Sequence, residues 1–160
     1  MGDMRKDYVL EREVIVHPTA KKNTNTKKCP YCPGNESMTN QSLISLVAKD
    51  GMLQRLQDGE DDLVKGWCVR VFESKEPTVS TSTENTYSDR PLYSEPAYGY
   101  HYIVVASPKH KDTVATIDVE QWSNVLVVVQ DRLRWLYTQK GVAYVSIFIN
   151  HGKESGSNVE

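Results

Sequence analysis

No stretch of this chain is apolar for long enough to span a bilayer, and Met1 to Tyr8 is polar where a secretory signal would carry its apolar run. Neither a membrane span nor an export signal is supported. The formal net charge is -2 over 160 residues, so no general attraction to nucleic acid or to an anionic membrane is expected. Phosphate recognition would have to be local, built from backbone donors and a few lysines. Cysteine is scarce and odd in number, at three. Cys29 and Cys32 sit too close in sequence for an ordinary structural disulfide. That usage fits a reducing cytoplasm with thiols free for metal. There is no internal repeat and no second cysteine pair.

The content that remains, 39% hydrophobic and 25% charged, suits one folded soluble domain with a buried core. Arg12 to Val16 alternates charged and apolar residues and ends at His17-Pro18, the pattern of a short strand entering a turn. Lys21 to Lys28 reads as a solvated basic loop. Ser42 to Val47 and Met52 to Leu56 flank Lys49-Asp50-Gly51, a hairpin signal because both central residues tolerate positive φ. Asp58 to Asp62 reads as a surface turn, and Trp67 to Phe72 as a strand with alternating faces. Thr78 to Pro96, rich in serine, threonine, proline and charge, reads as a long irregular excursion. Tyr98 to Ala106 contains the run Ile103-Val104-Val105, expected to be a strand buried on both faces.

Asp118 to Gln139 carries the clearest helical pattern. Asp118 with Gln121 forms a capping signature. Trp122, Val125, Leu126, Val129, Leu133, Leu136 and Tyr137 recur on one face, and Gly141 is placed to end the helix. Val142 to Ile149 reads as another apolar strand, followed by a glycine- and serine-rich turn from His151 to Asn158. Strands first, then one long helix, predict an α+β domain with a mainly antiparallel sheet.

Two segments offer chemistry. Cys29-Pro30-Tyr31-Cys32 has the spacing that lets two thiolates face one tetrahedral ion, in a loop continued by Pro33-Gly34-Asn35. Spacing alone leaves zinc, a redox pair and two unrelated thiols all open. Without a second pair, further ligands must be histidine or carboxylate, and His110 in Ser107-Pro108-Lys109-His110 is the best placed. A lone histidine at a strand end is more commonly a plain surface residue. Cys68, inside a strand, reads as a small core side chain. In the second segment, Phe148-Ile149-Asn150-His151-Gly152 leads to Gly156-Ser157-Asn158. Free amides in such a turn can wrap phosphate oxygens, although glycine and serine are also common in turns that bind nothing. Phe148 by composition reads as core.

Taken in order, these segments resemble galactose-1-phosphate uridylyltransferases. The resemblance is carried by Arg12-Glu13-Val14-Ile15-Val16 with Pro18, and by Cys29-Pro30-Tyr31-Cys32-Pro33-Gly34-Asn35-Glu36. It continues through Trp67 to Phe72, Glu95-Pro96-Ala97-Tyr98-Gly99-Tyr100-His101, Ser107-Pro108-Lys109-His110 and Phe148 to Gly152. It is collinear over nearly the whole chain, outside the variable stretches 40–62 and 78–94.

That resemblance implies a histidine-triad-like half, with residues 1–160 as a single amino-terminal transferase-like domain, incomplete at its carboxyl end. It implies a nucleotidylyltransferase of galactose metabolism, UDP-glucose–hexose-1-phosphate uridylyltransferase. In that chemistry a histidine attacks the α-phosphorus of UDP-glucose, releases glucose 1-phosphate, and passes the held UMP to galactose 1-phosphate. A homodimer in the cytoplasm is implied for the full-length enzyme. Zinc would be the cofactor, bound by Cys29, Cys32 and His110, its fourth ligand belonging to a His-Pro-His motif whose second histidine is the nucleophile. Ser74, Lys75, Phe148, Asn150, Gly156, Ser157 and Asn158 match nucleotide-binding positions.

The sequence departs from the pattern in several places. It reads Gly156-Ser157-Asn158-Val159-Glu160 where the His-Pro-His would next begin, so residues 1–160 by themselves are expected to be inactive. Asn158 stands where a serine is usual, Ser74 where an asparagine is usual, and Lys21-Lys22-Asn23 lacks an Arg-Pro. The alternatives from other classes are a related adenylyl-transferring enzyme, an inactive module that binds zinc or nucleotide, and an α+β domain whose cysteines have no such role.

Overall fold

In the computed structural model, which describes residues 2–16, 28–82 and 93–151, alternating sequence becomes antiparallel ladder. In chain order the elements are β1 (Asp3–Asp7), β2 (Arg12–Val16), a 3-10 turn (Glu36–Met38), β3 (Ser42–Lys49), β4 (Met52–Leu56), β5 (Trp67–Glu73), β6 (Ser94–Pro96), β7 (Tyr102–Val105) and α1 (Val119–Leu136). The chain divides into two compact units. One comprises Met1–Thr24 and Lys75–His101, the other Asn25–Ser74 and Tyr102–Glu160.

The first unit holds a three-stranded sheet of order β2-β1-β6. β2 falls where alternation places it. Its partner β1 is a polar segment that the sequence reading did not assign as a strand. Backbone pairing needs no apolar side chains, and the register Asp3↔Val16 through Asp7↔Arg12 supplies the bonds. Asp7 closes the hairpin by accepting the Val9 and Leu10 amides at 3.0 and 3.1 Å. Those two bonds lower its carboxyl pKa.

The second unit holds a four-stranded antiparallel sheet of order β4-β3-β5-β7. Asp50 and Gly51 take φ of 52° and 75°, the left-handed pair a two-residue hairpin turn requires, and they join β3 to β4. Ile44 and Leu46 of β3 and Val69 and Val71 of β5 form one apolar cluster with Val125 and Val128 of α1. Asp118 caps that helix, its carboxylate accepting the Gln121 amide at 2.7 Å. Gln121 then spans from helix to sheet. Its amide donates to the Cys68 and Ala106 carbonyls at 2.7 and 2.6 Å, just where the β5–β7 ladder ends. This is an α+β fold with a mainly antiparallel sheet and one long helix.

Several readings change in detail. α1 ends at Leu136, with a turn continuing to Gly141 at φ 82°. The buried helix stripe is Val125, Val128 and Leu136, whereas Leu126 and Tyr137 are exposed; the stripe is narrower than the apolar positions suggested. β5 is buried on both faces rather than alternating, because Arg70 has ionic and hydrogen-bonding partners on the face away from the apolar cluster. The run around Ile103 lies on the edge strand β7 and is half-buried. Asp58 is not a surface residue: it is 7% exposed and paired with Arg70.

Val142 to Ile149 forms no strand. Tyr144 is 81% and Phe148 69% exposed, and no described strand pairs with the segment. Apolar content favours burial, but a strand exists only where a neighbour supplies hydrogen bonds. The basic loop 21–27, the centre of the 78–96 excursion (83–92) and the turn 152–158 lie outside the described residues.

Candidate metal centre

The sequence from Cys29 to Asn35 is a series of tight turns. The Cys32 amide donates to the Cys29 carbonyl at 3.4 Å and the Asn35 amide to the Cys32 carbonyl at 3.1 Å. The Asn35 side-chain amide returns to the Cys29 carbonyl at 2.8 Å. Gly34, at φ +89° with open space around its α-carbon, provides the left-handed backbone that lets the chain double back. Both cysteine carbonyls are thus held by one residue, and both cysteines are half-buried with no disulfide between them.

His110 arrives from the other end of the unit's sequence. β7 delivers the chain to Ser107, whose hydroxyl donates to Asp112 and accepts the Lys109 amide at 3.1 Å. The Asp112 amide donates to the Lys109 carbonyl at 3.1 Å. This small knot projects His110, exposed at its outer side, so that its Nδ1 lies 3.2 Å from Cys32 Sγ, across 78 residues of sequence. Sγ of Cys29, Sγ of Cys32 and the His110 ring nitrogen all lie within 4.8 Å of one another.

The residues fit zinc. Two thiolates and an imidazole are the donor set that zinc favours. With Zn–S near 2.3 Å and Zn–N near 2.0–2.1 Å, a tetrahedral ion sets its ligand atoms about 3.5–3.8 Å apart, and the cluster is already gathered to that scale. Burial, and then the neighbouring Cys29 thiol, raise the Cys32 pKa; a bound cation would act in the opposite sense. When bound, the ion would tie the knuckle to the loop after β7, as structural zinc does.

The remaining expected site residues are scattered. Ser74 is half-buried just after β5, and Lys75 is exposed. Phe148, expected in the core, and Asn150 are exposed in the irregular stretch after α1. Gly156, Ser157 and Asn158 lie outside the described residues. Cys68 is half-buried against the apolar cluster, and burial raises its thiol pKa. It takes no part in the metal cluster.

Sequence reasoning missed the support of the knuckle. Glu36, which follows the knuckle, is 2% exposed and bonded to Gly34, Lys65 and Trp67. A charged residue four places after a cysteine pair gives no signal of burial by itself.

Comparison with known proteins identifies the family. The sequence profile of the family described as galactose-1-phosphate uridyl transferase, N-terminal domain, matches residues 70–159, more than half of the chain. ADP-glucose phosphorylase of Arabidopsis thaliana is 26% identical over an alignment 174 positions long that covers 98% of this chain and 45% of that protein. The crystal structure of that plant phosphorylase with bound ADP-glucose superposes with a TM-score of 0.59 at 26% identity, again over 98% of this chain and 45% of the other. A uridylyltransferase mutant shares the fold, with a TM-score of 0.69 at 21% identity over 98% of this chain and 41% of its own. The chain therefore spans somewhat less than half the length of these relatives. With a matching profile over most of its second unit and a gathered Cys-Cys-His cluster at the expected residues, the chain belongs to the galactose-1-phosphate uridyl transferase family.

Proposed function

We propose that residues 1–160 are the amino-terminal domain of a longer zinc-containing nucleotidylyltransferase, one that exchanges hexose 1-phosphates on UDP-glucose in galactose metabolism. The observation that carries the proposal is the convergence of Cys29, Cys32 and His110 from distant parts of the sequence, in a chain of this family. UDP-glucose and galactose 1-phosphate are the substrates. Ser74, Lys75, Phe148, Asn150, Gly156, Ser157 and Asn158 contribute to nucleotide binding. The exposure of Phe148 at 69% and Ile149 at 61% leaves this apolar segment free to meet a nucleotide or another part of the protein.

The zinc is held by Cys29, Cys32 and His110 together with a ligand from a His-Pro-His segment outside residues 1–160. The nucleophilic histidine lies in that same segment. Residues 1–160 alone are therefore expected not to turn over a nucleotide sugar, since removing such a group costs several orders of magnitude in rate. The scarcity of cysteine, with Cys29 and Cys32 gathered beside His110 as metal-ligand candidates, supports a reducing cytoplasm, and no described helix is long and apolar enough to cross a membrane. The full-length enzyme is proposed to be a homodimer.

A second reading is favoured by the 26% identity with ADP-glucose phosphorylase: the transferred group is adenylyl. The two separate in one experiment. The full-length protein is given UDP-glucose with galactose 1-phosphate, or ADP-glucose with inorganic phosphate, and release of glucose 1-phosphate is followed. Turnover of UDP-glucose supports the first reading, and turnover of ADP-glucose alone transfers the assignment to the second. Calorimetric titration that detects neither nucleotide sugar would sink both.

A further inference from the structure

We propose that Glu36 is a positioning residue for the metal centre, a buried carboxylate that fixes the Cys29–Cys32 knuckle without ligating the ion; the inference rests on the zinc reading given above. Its side chain is 1% exposed. Both carboxylate oxygens accept the Gly34 amide, each at 3.1 Å. One also accepts from Lys65 Nζ at 2.6 Å and the other from the Trp67 indole at 3.0 Å. Glutamate suits this point because three donors converge there, and an ionised carboxylate is the side chain that only accepts. A glutamine would turn its NH2 group against at least one of them.

The connectivity gives the carboxylate a reach beyond its own contacts. On one side it grips Gly34, next to Asn35, and Asn35 holds both cysteine carbonyls. On the other it grips Lys65 and Trp67, at the start of β5. β5 pairs with β7 through Arg70↔Val105 to Glu73↔Tyr102, and β7 leads to His110. Thiolates and imidazole are therefore referenced to one strand, the thiolates through Glu36 and the imidazole through the ladder. Partners that orient ligating groups without touching the ion commonly control affinity by about 10- to 100-fold.

The test measures zinc affinity by competition with a chromogenic chelator, in the full chain, for wild type, Glu36→Gln and Lys65→Met. Asp118→Ala serves as a control, since it weakens the cap of α1 without touching the knuckle. Apo-protein melting midpoints are recorded alongside, and cobalt(II) is substituted to read ligand geometry from its absorption bands. Glu36→Gln is expected to lose about 10- to 100-fold in affinity and to alter the cobalt spectrum, whereas Asp118→Ala leaves both unchanged. Lys65→Met, whose side chain is 63% exposed in the wild type, is expected to lose several-fold and remains informative if Glu36→Gln does not fold. Wild type that binds stoichiometrically beside Glu36→Gln or Lys65→Met of equal affinity and spectrum would overturn the positioning role alone. Wild type that binds no zinc would overturn the metal reading and this inference with it.

Discussion

Two ion pairs in the second unit have the same separation, 2.7 Å, and opposite surroundings. Arg70–Asp58 has side chains 2% and 0% exposed, whereas Arg55–Asp131 has side chains 51% and 37% exposed. In the buried pair, Asp58 also accepts the Ser42 amide at 2.7 Å and the Val64 amide at 2.8 Å. Arg70 donates to Thr39 Oγ1 at 2.7 Å, and its Nε has no hydrogen-bond partner among the described residues. Burial by itself raises the Asp58 pKa, but the bonds from Ser42, Arg70 and Val64 outweigh it, and the net shift is downward. Asp58→Ala would leave the Arg70 guanidinium without its counter-charge, and the Ser42 and Val64 amides without their acceptor, in a site closed to water. Breaking a buried pair in this way costs about 3–5 kcal/mol, a large part of the roughly 5–15 kcal/mol that holds a domain together. With a urea slope of about 1–3 kcal/mol per molar, the midpoint should fall by roughly 2 M, followed by tryptophan fluorescence. Arg55→Ala should cost about 0–1 kcal/mol. Replacing both partners, as Asp58→Leu with Arg70→Met, should cost less than Asp58→Ala alone, because no charge is left stranded. If Asp58→Ala and Arg55→Ala shift the midpoint equally, burial does not set the value of these pairs and the reasoning fails.

The zinc and acid predictions follow from the knuckle. Cys29→Ser should reduce bound zinc to well below one ion per chain in protein purified without chelator; metal analysis that finds full occupancy would contradict the ligand assignment. Glu36 should give an acid-sensitive step. Burial raises its pKa, yet the bonds from Lys65, Gly34, its own amide and Trp67 together bring it from 4.5 to about 2. A carboxyl lowered in the folded state contributes stability above its unfolded pKa, and that contribution is lost as pH falls through 4.5 toward 2. The shift corresponds to about 3 kcal/mol. Urea midpoints measured between pH 6 and 2 should therefore fall more steeply for wild type than for Glu36→Gln, and parallel curves would refute the assignment.

Wherever a short pattern is self-sufficient, the sequence alone determined the outcome. Asp50-Gly51 had to be a hairpin because both residues tolerate left-handed backbone, and they adopt it. Asp118 and Gln121 had to begin a helix because a side-chain acceptor sits three residues before an orphan amide. The two-residue cysteine spacing allowed a metal knuckle but left a redox pair and unrelated thiols equally open. Only the tertiary structure decided what depends on distant partners. It brought His110 to 3.2 Å from Cys32, and buried Asp58 against Arg70 although an acidic run reads as surface. It made Glu36 the anchor of the knuckle. It also left Val142 to Ile149 without a ladder among the described residues, despite an apolar pattern that favours a strand. The reason is common to all four: ion pairing, ligand convergence and sheet pairing are properties of two groups at once, and a linear pattern specifies only one of them.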